Sequence, residues 1–130
     1  MRHPLEFVPQ EARKRLFFTL LVLTLSLFAI FRVLDTPLQT DYAPSGIVSF
    51  ELAGTPQNAA HIVLTWSAEA MLNAAFGLGI DYLFMPVYAF ALAFGTLLAA
   101  GRHAGWLKSL GAVAGYGAFA AALFDAVENY

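Results

Sequence analysis

Asp81 is the residue on which chemistry would turn. It stands well inside an apolar run, residues 71–100, where a carboxylate is expensive to hold and usually serves a proton, a cation or a protein partner. A second polar group, Asp125, Glu128 and Asn129, lies at the far end of the run 106–127. Counted from a short turn at 101–105, Asp81 and Asp125 each stand about 20 residues, roughly 30 Å, up their helices. Together with Tyr82 and with His61 from the preceding loop, they would form an outward-facing polar pocket. Crowded carboxylates raise at least one pKa or attract a cation, so a proton, an oxygen-ligated divalent ion or a cationic headgroup would suit it. The plainer alternative is that Asp125, Glu128 and Asn129 end a helix at the water interface and need no partner.

Other chemistries find no support. There is no phosphate-binding glycine loop, no serine nucleophile elbow and no HExxH, and no catalytic residue is assigned. The absence of cysteine excludes disulfides, thiolate metal sites and cysteine nucleophiles. His3, His61 and His103 are far apart in sequence and outside the apolar runs, which argues against a bis-histidine haem or a histidine zinc site. No cofactor is expected beyond a possible divalent cation, whose ligands the sequence does not name. No stripe of basic residues points to nucleic acid.

The elements that must position these residues are membrane helices. The chain is 59% hydrophobic and 12% charged, against about 25% charged in typical soluble domains. Residues 16–31, 71–100 and 106–124 are close to or beyond the roughly 20 residues that span about 30 Å of hydrocarbon. The expected fold is an all-α, integral membrane bundle of three transmembrane helices in one domain, with a short amphipathic interfacial helix in an extracytoplasmic loop. The divisions are a cytoplasmic tail 1–15, a first membrane helix 16–34, a loop 35–70 with a helix at 56–66, a second membrane helix 71–100, a turn 101–105 and a third membrane helix 106–127. The first run lacks a small-x-small cleavage site, so it reads as a retained helix, not a signal peptide.

Basic residues set the orientation. Arg2, Arg13, Lys14 and Arg15 precede the first helix, Arg102 and Lys108 flank the short turn, and residues 35–70 contain no lysine or arginine. This distribution places the amino terminus and the turn in the cytoplasm and the loop outside. Arg32 is the discordant charge, able to reach the interface or to pair with Asp35.

In the loop, residues 47–52 are apolar and of open helix or strand identity. Thr55 is an N-cap, with Pro56 at the first helical position. Ala59, Ile62, Val63 and Trp66 then share a face, so this helix either lies at the membrane interface with Trp66 in the aromatic belt or packs as a lid. Pro86 favours a kink in the second membrane helix, while Gly77, Gly79, Gly111 and Gly115 offer close helix packing.

The blocks GIVSFELAGT (46–55), GIDYLFMPVY (79–88) and FDAVEN (124–129) resemble those of a group of small bacterial multi-pass membrane proteins of uncharacterised function. The resemblance implies topology, with no catalytic residue to carry over. It also implies a fourth membrane helix after the last block, so a chain stopping at Tyr130 is expected to be either truncated or naturally short.

Two functions are compatible with these residues. One is a non-enzymatic structural or assembly subunit in the bacterial cytoplasmic membrane, surrounded by lipid and working as a homo-oligomer or in a larger complex. The other is a small transporter, ion-binding protein or lipid-active enzyme that uses the acidic pocket.

Overall fold

Helix α1 (Gln10–Asp35) follows Pro9 directly, with Glu11 in its first turn where a negative charge favours the helix dipole. It gives way to a tight turn, Thr36–Leu38, at Pro37, which has no N–H to continue the ladder. Helices α2 (Ile47–Glu51) and α3 (Pro56–Thr65) follow, then α4 (Ala68–Ala100) and α5 (Trp106–Glu128). The computed structural model describes residues 1–101 and 103–129. Arg102, one of the basic residues at the turn, and Tyr130 lie outside the described residues. Among those described there is no strand, and the protein is all-helical. Three of its helices, the stretch Gln10–Leu38, Ala68–Ala100 and Trp106–Glu128, are long and apolar enough to cross a membrane.

The chain divides into two compact units, Met1–Ser26 with Tyr82–Tyr130, and Leu27–Asp81. In the first unit, α5 packs on the second half of α4 through small residues. A side chain at Gly111 would collide with the Cβ of Ala100, and one at Gly95 would come within 3.1 Å of the Phe17 ring of α1. The Phe90 and Phe119 rings meet edge to face, with centroids 5.0 Å apart. Leu5, from the amino-terminal tail, is buried with Ala93, Phe94 and Leu97. Pro86 is exposed, and α4 runs through it without interruption.

The second unit is built around Trp66. Its ring is 8% exposed, packs with Leu38, Ala43, Ile62 and Ala70, and donates its indole N–H to the Leu38 carbonyl at 2.9 Å. The apolar face of α3 is turned toward this cluster, with Ile62 buried beside Trp66. Burial removes the apolar ring of Trp66 from solvent and satisfies its one donor. Thr55 caps α3 by accepting the Asn58 N–H at 3.2 Å. Residues 47–51 resolve as the helix α2. Asp35 accepts the Ile47 N–H at 2.7 Å, and its carboxylate fills the space where a side chain at Gly46 (φ +56°) would stand. Asp35 is thus a helix-start ligand, and no ion pair joins it to Arg32 among the described residues.

Candidate functional site

The polar residues expected to gather in one pocket divide between the two units. Tyr82, Asp125, Glu128 and Asn129 belong to the first, and Asp81 and His61 to the second. In the second unit, Asp81 is half-buried on α4. His61 is exposed on α3 and its ring lies against that of Tyr42, tilted by 48° with centroids 4.5 Å apart.

In the first unit, α4 and α5 run antiparallel, and their register decides which polar groups meet. The Tyr88 hydroxyl donates to the Asp125 carboxylate, and the Tyr82 hydroxyl donates to the Asn129 carbonyl at 3.2 Å. Near the turn, Gly111 lies against Ala100 and Thr96. Asp125 meets Tyr88, and Asp81 stands two turns earlier on α4. Glu128 is exposed at the end of α5. Tyr88 and Asp125 are both half-buried, so their bond links two helices of membrane-crossing length through a carboxyl group and a phenol.

The glycines divide in the same way. Gly115 stands against the His3 ring and Gly111 against Ala100, whereas a side chain at Gly77 or Gly79 would have open space within 4 Å.

A second polar centre in the first unit was not evident from the sequence. The amino-terminal tail folds back on α4 and α5 and inserts His3, 6% exposed, into the notch at Gly115. The Leu5 N–H donates to His3 Nδ1 at 3.1 Å, which places the ring proton on Nε2. That nitrogen lies 3.2 Å from Thr96 Oγ1, whose own hydrogen goes to the Ala93 carbonyl at 2.9 Å. The imidazole is therefore fully satisfied in its neutral form, and burial lowers its pKa from the usual 6.5, with Glu6 opposing the shift and Arg13 adding to it. Around it, Arg13 donates to the Glu6 and Val8 carbonyls at 2.7 and 2.8 Å. Lys108 pairs with Glu6 at 3.2 Å, and this hydrogen bond leads the effects that hold the Glu6 carboxyl below its usual pKa. His3 sits 93 residues from Thr96, a separation no local pattern encodes.

Among the described residues, no three histidine, aspartate or glutamate side chains converge into a group that could hold a metal ion. Comparison with family models, curated proteins and solved structures finds no match.

Proposed function

We propose that the protein is a bilayer-embedded, non-enzymatic subunit that packs within, or assists assembly of, a complex in the bacterial cytoplasmic membrane. One observation carries this reading: only 6% of the most apolar stretch of α1 is buried within the chain, against 39% for α4. Phe18, Val22, Leu25 and Val33 are all more than half exposed, a surface that lipid tails or partner helices would cover and water would not. The small-residue contacts at Gly95 and Gly111 support close helix association as this protein's working mode. In this reading the amino terminus is cytoplasmic, residues 35–70 face outward, and the partners are lipid and either further copies or other membrane subunits.

The Tyr88–Asp125 bond favours a second reading, a small transporter, ion-binding protein or lipid-active enzyme, because a carboxylate on an apolar helix is costly unless it is used. Purification in mild detergent separates the two. A stoichiometric protein partner or a defined oligomer supports the first. A monomer stabilised by protons or divalent cations, with that response lost in Asp125→Asn, supports the second and removes the first. Orientation is tested independently with single cysteines at Ser45 and Ser109. Ser45→Cys should react with an impermeant maleimide on intact cells and Ser109→Cys should not; the reverse pattern refutes the orientation.

A further inference from the structure

The first unit carries an open groove of about 450 Å³ between α1 and α4. Phe17, Leu21 and Thr24 form one wall, and Ala91, Gly95 and Ala99, spaced four apart, form a narrow floor. Hydroxyls of Thr24, Thr96 and Tyr88 also border it, but each donates elsewhere, to Leu20, to Ala93 and to Asp125 respectively. The groove therefore offers an occupant apolar contact and no free hydroxyl donor, which suits a hydrocarbon and not a polar solute.

Its length suits an acyl chain. From Tyr88 to Ala99 it follows α4 for about 17 Å, close to one leaflet of a hydrocarbon layer roughly 30 Å thick.

Charge identifies the headgroup. Lys14 precedes Phe17, Leu21 and Thr24 by three, seven and ten residues, so it extends the same face of α1 beyond the groove. Two neighbouring cations are already committed, Arg13 to the Glu6 and Val8 carbonyls and Lys108 to the Glu6 carboxylate. Lys14 is exposed and makes no ion pair among the described residues, Glu11 one turn earlier included.

We propose that this groove seats one acyl chain of an anionic phospholipid whose phosphate is held by Lys14. The site rests on the bilayer placement proposed above and adds to it a defined ligand. The test uses the full chain in mixed micelles with equal dioleoylphosphatidylglycerol and dioleoylphosphatidylcholine, read by native mass spectrometry. The anionic lipid should be retained about fivefold over the zwitterionic one, the effect of one basic contact at a charged surface. Lys14→Gln should erase the preference and Lys14→Arg should keep it. Leu92→Trp, which adds bulk at an exposed position on the groove, should lower retention of both lipids. Equal retention by the parent, or a preference that survives Lys14→Gln, overturns the proposal. So does efficient self-cross-linking of Leu92→Cys in membranes, which would seat a second copy there. Carbonate extraction of the same membranes distinguishes the failures: a chain that washes out removes the bilayer placement and the site together, whereas a retained chain without lipid preference removes the site alone.

Discussion

The two segments outside the three long helices, the amino-terminal tail and the loop between α1 and α4, are anchored by opposite means. The loop is held by its own residues, with Trp66 buried against Leu38 and bonded to its carbonyl 28 residues away. The tail brings one small polar ring, His3, to a notch made by a glycine on α5 and a threonine on α4. The first anchor is a large apolar burial with one hydrogen bond added. The second is a set of directional bonds that hold only while a glycine stays small and an imidazole stays neutral. Loop order should accordingly respond to lost apolar area, and tail order to shape and pH.

The largest effect is expected where the most apolar surface is lost. Trp66→Ala should destabilise the second unit by about 3–5 kcal/mol, the usual cost of truncating a buried aromatic to alanine. Amide exchange across residues 36–66 should rise together, while Leu5 and its neighbours in the first unit keep their protection. Trp66→Phe keeps most of the ring and leaves the Leu38 carbonyl without its donor, at about 1–3 kcal/mol. Equal protection in Trp66→Ala and the parent would remove Trp66 as the loop's anchor.

Gly115→Leu is the corresponding break in the tail. Its first side-chain carbon would fall on the His3 ring, and overpacking of this kind costs about 1–3 kcal/mol. Because the tail can be expelled while the helices stay packed, the expected outcome is fast exchange at the Leu5 amide with α4 and α5 unchanged. Gly117→Leu is the control, since nothing lies within 4 Å of the first side-chain carbon there. If both variants release the tail, helix disturbance and not the notch is the cause.

The pH response follows from the His3 environment. Its folded pKa is lowered, so attachment is complete above about 6.5 and weakens as pH falls through that value, where the detached tail takes up a proton that the docked ring resists. Leu5 amide protection, corrected for intrinsic exchange, should fall between pH 7 and 5 in the parent. His3→Gln should remove that slope. A parent profile as flat as the variant's would show that the buried neutral imidazole does not govern docking.

The contrast also marks what the sequence could reveal. Thr55, Pro56 and the spacing of Ala59, Ile62, Val63 and Trp66 predict α3 because capping and helical periodicity are local. Their inward direction depends on Leu38 and Ala70, which periodicity cannot identify. The three long helices are evident from apolar length alone, yet α4 and α5 are apolar on nearly every side, so no polar face announces their register. The meeting of Tyr88 with Asp125 is therefore settled by how Gly111 fits against Ala100. His3 is the extreme case: beside Pro4 it reads as part of an irregular tail, and its partners Thr96 and Gly115 are ordinary members of apolar runs.

The smallest effect should come from the exposed pair of Lys108 and Glu6, and it sharpens the comparison by separating surface charge from buried contact. Their side chains are 52% and 36% exposed, so water and salt screen the attraction. The two ends of the pair are nonetheless unequal. Glu6 Oε2 is shielded from solvent and has no hydrogen-bond partner among the described residues, so its carboxylate depends on Lys108 more than the lysine depends on it. Lys108→Gln removes the principal partner of a carboxylate with one oxygen shielded from solvent, whereas Glu6→Gln leaves a lysine free to enter water. Lys108→Gln should therefore speed Leu5 amide exchange up to about twofold, Glu6→Gln less, and both should approach the parent in high salt. A loss in either variant as large as that in Gly115→Leu would make the ion pair, not the His3 notch, the principal anchor of the tail.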